Sequence, residues 1–163
     1  MNLYLPAAVL TAAALIQITL LPHTAVAGVH PDLVLLLAVA WSLLRGSTEG
    51  VVWGFFGGVL LDLFSAAPFG VFTLALMVTC FMSGLGESAV FRQNILLPLG
   101  ATLGATLLFH VAALVLLRTL GWPVNWSRDL LRVIVPATLL NTALMPLVYA
   151  GARRLSRGSA HMG

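Results

Sequence analysis

Six apolar runs, at about 3–21, 29–44, 48–64, 69–86, 94–117 and 128–152, take up almost all of this 163-residue chain. A helix needs roughly 20 such residues to cross the hydrocarbon core of a bilayer. The spacers are short, and Arg45 to Thr48 and Ser65 to Pro68 each read as a tight turn. Pro22, Pro31, Pro68, Pro98 and Pro123 stand at or near run ends, where a missing N–H costs least. Pro136 and Pro146 fall inside the sixth run and are expected to kink it. Charged residues are 8% of the chain and hydrophobic ones 60%. A typical soluble domain has about 25% charged residues, so lipid must face much of this surface. The expected fold is an all-α integral membrane protein, one six-helix transmembrane domain over residues 1–157. Residues 158–163 read as a tail resembling an expression scar and receive no role. The first run is read as a membrane helix and not a cleaved signal, because residues 1–10 carry no Lys or Arg.

The third run carries a glycine at every fourth position and ends on an acid: Gly46, Gly50, Gly54, Gly58, then Asp62, with Gly57 in addition. Each interior glycine costs a helix about 1 kcal/mol relative to alanine. In a bilayer the same residues let a second helix approach backbone to backbone, and close packing is what drives association there. Four residues advance an ideal helix about 40° beyond a full turn. The series therefore winds, placing Gly46, Gly50 and Gly57 with Trp53 on one face and Gly54, Gly58 and Asp62 on a second. One face is expected inside the bundle, the other open to a partner helix or to the turn after Asp62. Gly100 and Gly104, with Ala101 and Ala105, give the fifth run a small-residue face suited to pack on the third.

Polar residues are few enough to weigh singly. Asp62 has two readings: a cap for the amides that open the fourth helix, or a binder of a partner's cation or a ligand. His110, Asn141 and Gln17 read as interhelical hydrogen-bonding residues, and Arg45 and Glu49 as a local pair one turn apart. No nucleic-acid surface is expected from eight Arg, no Lys and a net charge of +3. The four histidines show no metal spacing, Cys80 is alone in an apolar run, and no GxSxG, HExxH, P-loop or CxxC occurs. Neither an enzyme nor a cofactor or metal site is expected. Five arginines (45, 92, 153, 154 and 157) fall on the side shared by the termini and three (118, 128 and 132) on the other. The excess puts both termini in the cytoplasm, with the 117–132 loop facing outward and its Trp122 and Trp126 at the interface.

Val29-His-Pro-Asp-Leu-Val opens the second run, and Gly54-Phe-Phe-Gly-Gly-Val-Leu-Leu-Asp-Leu-Phe-Ser-Ala-Ala-Pro-Phe-Gly joins the third to the fourth. These segments resemble the rod shape-determining protein MreD family, most sharply over residues 31–70, in Pro31, Asp32, Asp62, Ser65, Pro68 and Gly70. The resemblance implies a non-enzymatic membrane scaffold of the bacterial cell-elongation machinery that makes peptidoglycan. Its partner would be MreC, bound through transmembrane helices, and through MreC the RodA glycosyltransferase and a class B penicillin-binding transpeptidase; a homodimer stays open. It also implies a bundle similar to the substrate-binding subunits of energy-coupling-factor transporters. The alternative function is thus a small-molecule or lipid-binding capture subunit of a membrane transporter.

Overall fold

The computed structural model describes residues 4–19, 30–86 and 96–159, and every regular element among them is helical. The elements are α1 (Tyr4–Thr19), α2 (Leu33–Arg45), α3 (Ser47–Phe64), α4 (Val71–Gly84), α5 (Leu96–Thr119), α6 (Trp126–Asp129) and α7 (Val135–Ser159). A π turn, Leu130–Ile134, makes α6 and α7 continuous. Two stretches, Pro98–Thr119 and Trp126–Arg157, are long and apolar enough to cross a membrane, whereas α1, α2 and α4 are apolar but shorter. The run at 29–44 becomes helix only at Leu33, after Pro31 and Asp32, which stand outside regular helix. The loop expected over 117–132 shrinks to residues 120–125. Asn125 caps α6 by accepting from the Arg128 amide at 3.4 Å.

α2 is the hub. It touches α1, α3, α4, α5 and α7, and 10 of its 13 residues are buried. The tight turn expected at 45–48 is a single residue, Gly46, at φ 90°. Gly46 stands between α2 and α3 and is not helical, which corrects its place as first member of the glycine series. A side chain is strained at that φ, so the hairpin itself calls for glycine. Trp53 of α3 stacks on Trp41 of α2, ring centroids 4.2 Å apart, and Trp41 donates its indole N–H to Glu49 at 3.0 Å. Arg45 donates to the Ser156 hydroxyl and carbonyl of α7 at 2.8 and 2.7 Å. Arg45 and Glu49, expected as a local pair, each also make a tertiary contact.

Both glycine faces of α3 are filled from within the chain. A Cβ at Gly50 would fall on the Ser42 side chain of α2. One at Gly57 would meet Val34 Cγ1 of α2 at 2.8 Å and Leu76 Cδ2 of α4 at 3.1 Å. On the second face a Cβ at Gly54 would lie 3.0 Å from the Leu76 carbonyl oxygen, and one at Gly58 would strike Thr73 Cα. The groove left open to a partner by the sequence reading is therefore occupied by α4. The small-residue face of α5 does not meet α3 either: the two helices make no contact, and nothing lies within 4 Å of a Cβ at Gly100 or Gly104. α5 packs on α4 and α7 through buried residues including Thr102, Ala105, Phe109 and Ala113.

The sixth run holds both expected prolines, and Pro146 lies inside α7. Pro136 follows the π turn directly, with the Val135 amide bonded to the Leu130 carbonyl. A proline removes one helical hydrogen bond and its ring crowds the carbonyl four residues back, here that of Arg132. A widened turn over Leu130–Ile134 relieves that crowding, so the expected irregularity takes the form of a π turn.

Candidate functional site

Two helices that start at the same end of the bundle are capped by side chains from the helix before them. For α4 the cap is Asp62, 4% exposed near the end of α3. Its Oδ1 accepts from the Phe72 amide at 2.9 Å, and its Oδ2 from the Gly70 and Thr73 amides at 3.0 Å each and from the Thr73 hydroxyl. The first amides of a helix have no intrahelical acceptor and carry partial positive charge. A carboxylate seated on them loses little by leaving water. Gly70, at φ 101°, bends the chain so that these donors converge. Ser65 accepts from the Ala67 amide at 3.0 Å and tightens the same turn, which runs through Pro68. For α2 the cap is Gln17 of α1, whose Oε1 accepts from the Val34 amide at 3.2 Å.

That exchange frees the residue at the α2 N-cap position. Asp32 makes no cap bond of its own and turns its carboxylate into a polar cluster drawn from four elements. Gln17 donates to Oδ1 at 3.4 Å, and the Asn141 amide of α7 to Oδ2 at 3.5 Å. Asn141 Oδ1 accepts from the Asp32 amide at 2.9 Å. His110 Nε2 of α5 stands 3.4 Å from Asp32 Oδ2. The other His110 nitrogen, Nδ1, is 2.8 Å from the Thr106 carbonyl oxygen. A carbonyl only accepts, so Nδ1 carries a proton. Nε2 and the carboxylate then attract only if a second proton sits between them.

Asp32 and His110 line a cavity of about 720 Å³. Its lining on α5 runs from Phe109 to Leu117 and continues to Trp122 beyond the helix, about 12 Å along α5 at 1.5 Å per residue. Phe64, Phe72, Leu114 and Leu117 supply apolar wall, and Arg132 and Asp129 bring one charge of each sign from the π turn and α6. A volume of this order suits a small molecule, and apolar walls with a few convergent polar groups are the usual make-up of such sites.

The structure thus separates the residues singled out by sequence. Gly50, Trp53 and Gly57 lie against α2, Gly54 and Gly58 against α4, and Gly46 in the hairpin. Asp62, Ser65, Pro68 and Gly70 form one turn, while Pro31 and Asp32 precede α2. His110 and Asn141, read as isolated interhelical groups, meet on Asp32, as does Gln17. That Asp32 is their hub had no sequence signal beyond the scarcity of polar residues at comparable positions in the runs. Asn141 is fully buried, and Asn141→Leu leaves the Asp32 amide and carboxylate short of partners. The expected cost is about 1–3 kcal/mol, read as a thermal midpoint lower by roughly 2–12 °C for the purified protein in detergent. An unchanged midpoint would remove Asn141 from the cluster's energetics.

A family model described as rod shape-determining protein MreD matches residues 2–155. No curated protein and no solved structure matches the chain.

Proposed function

The chain belongs to the MreD family of rod shape-determining proteins, and from that premise we propose that it is a multi-pass scaffold of the bacterial elongation machinery that holds MreC through transmembrane helices. The family is one of structural, shape-determining proteins and is not known for catalysis. Through MreC the scaffold would reach RodA and a class B penicillin-binding transpeptidase. The match over nearly the whole chain carries this reading. On this reading both termini lie on the cytoplasmic side of the inner membrane. The arginine excess supports that assignment, as does the Arg45–Ser156 contact, which brings the C-terminal ends of α2 and α7 to one end of the bundle.

The surface offered to MreC must be one the fold leaves free. With α2 buried and both glycine faces of α3 filled, the open side of this region is the outer face of the α3–α4 hairpin. It exposes Phe55, Leu63, Phe64, Leu74, Val78 and Phe81. A single apolar helix from MreC fits such a face, since lipid-exposed helices associate by shape and close contact. A photo-crosslinking amino acid at Phe55 or Val78 is expected to capture MreC in native membranes, with Leu147 on α7 as the control position. Capture from Leu147 and none from Phe55 or Val78 would move the interface elsewhere.

The cavity supports a second reading, a capture subunit similar to those of energy-coupling-factor transporters. Affinity purification from native membranes separates the two. Co-purification of a coiled-coil, single-span protein supports the scaffold, and co-purification of an ATPase pair supports the transporter.

A further inference from the structure

We propose that the cavity beside Asp32 and His110 is a binding site for an uncharged amphiphile whose head group carries hydroxyls or amides, a ligand of the size and kind of a monoacylglycerol. The proposal concerns this chain alone and holds whichever proteins it assembles with.

Three observations carry it. The polar end of the cavity is rich in hydrogen-bonding capacity that the protein only partly uses. Among the described residues, Gln17, Asn141 and His110 approach the Asp32 carboxylate at 3.4, 3.5 and 3.4 Å, all beyond the usual 2.7–3.2 Å of a well-made bond. A carboxylate has about four lone-pair sites to fill. His30, also on the cavity wall, keeps a buried Nδ1 with no hydrogen-bond partner among the described residues. Few buried ring nitrogens stay unpaired, because desolvation without a partner is costly. A ligand offering both donors and acceptors would satisfy these atoms together.

The charges select the head group. The cavity wall carries Arg132 beside the carboxylates of Asp32 and Asp129, so charges of both signs line it. An anionic head would meet the Asp32 carboxylate with one arginine to set against it. A cationic head would meet Arg132. A hydroxyl donates to one partner and accepts from another, which matches a carboxylate that only accepts standing beside imidazole nitrogens that can do either.

The walls select the tail. Phe64, Phe72, Leu114 and Leu117 line the cavity alongside Ala14, and about 720 Å³ is too large for a bare polyol. The π turn adds a further sign, since such turns recur at functional sites, and this one contributes Arg132, Val133 and Ile134 to the lining.

The test uses the full chain in nanodiscs, photolabelled with 1-oleoylglycerol bearing a diazirine in its acyl chain. Labelling is expected on the α5 segment 109–117 and on Phe64. A tenfold excess of plain 1-oleoylglycerol should lower it at least fivefold, and the same excess of lyso-phosphatidylglycerol, with an anionic head, less than twofold. Leu114→Trp fills the wall and should abolish protection, while His110→Gln keeps the side chain polar but breaks the Asp32–His110 pair and should weaken it several-fold. Both variants are read only in preparations that elute as wild type, and Leu117→Trp serves where Leu114→Trp does not fold. Label spread over outward residues such as Leu139 and Leu147, unchanged by competitor or by the tryptophan variants, would overturn the site. Equal protection by the anionic lipid would overturn the uncharged head group.

Discussion

Gly58→Leu is expected to leave little folded protein, whereas Gly100→Leu, in a helix of similar character, should purify as wild type. A Cβ at Gly58 falls on Thr73 Cα, with the Thr73 amide nitrogen at 2.9 Å and the Phe72 carbonyl oxygen at 3.0 Å. These are backbone atoms of α4 and cannot rotate away, so α4 as a whole must move. Overpacking that displaces side chains costs about 1–3 kcal/mol, and moving a helix backbone costs more. The displacement also pulls Phe72 and Thr73 off Asp62, one turn further along α3. Helix propensity alone gives the opposite sign, because glycine to alanine favours a helix by up to about 1 kcal/mol. Gly58→Ala should therefore destabilise, while Gly100→Ala should be neutral or stabilising, since nothing lies within 4 Å of its Cβ. Thermal unfolding and size-exclusion profiles in one detergent read the contrast. Equal behaviour of Gly58→Leu and Gly100→Leu would sink the close α3–α4 contact.

Asp62→Ala is expected to lower the thermal midpoint by about 6 °C or more, and Asp62→Asn should recover little of it. Hydrogen bonds to a charged group contribute roughly 1.5–3 kcal/mol each. Asp62 accepts four, three from amides and one from the Thr73 hydroxyl. Shared desolvation keeps the total well below their sum, and about 3 kcal/mol is a fair expectation, at 2–4 °C per kcal/mol for a chain of this length. Asparagine keeps one carbonyl oxygen and turns an NH₂ toward groups that are themselves donors. It therefore suits Phe72 or the Gly70 and Thr73 side, not both. Thr73→Val, which removes one donor, should cost about 1 kcal/mol. Wild-type stability in Asp62→Asn together with lost rod-shape complementation would instead give Asp62 a role toward a partner.

Several of these contacts stand close to the surface of the sequence. Asp62 and the helix it caps are eight residues apart at the nearest bond, to Gly70, so a carboxylate ending one run before a Ser-x-x-Pro-x-Gly turn already suggests a cap. The winding of the glycines into two faces follows from helix pitch. Identifying the occupants required the fold. Gly54 and Gly58 present the same open notch to any helix, and only the α3–α4 hairpin geometry fills it from within. The opposite failure occurs in α5, where Gly100 and Gly104 have the spacing of a packing face yet meet nothing. Small residues permit close approach without compelling it.

The sequence alone determined the number of long apolar helices and roughly where they break, because run length and proline position act on residues next to one another, while the exact ends, α6 and the π turn came from the fold. It determined the family through the same short-range pattern around Asp32, Asp62 and Gly70. Tertiary structure decided which faces remained free and what the scattered polar residues do. Asp32 lies 15 residues from Gln17 and 109 from Asn141, and no local period links such positions. Their meeting depends on α2 standing at the centre of the bundle, where its N-terminus must be capped by another helix and its own aspartate is left to face a cavity.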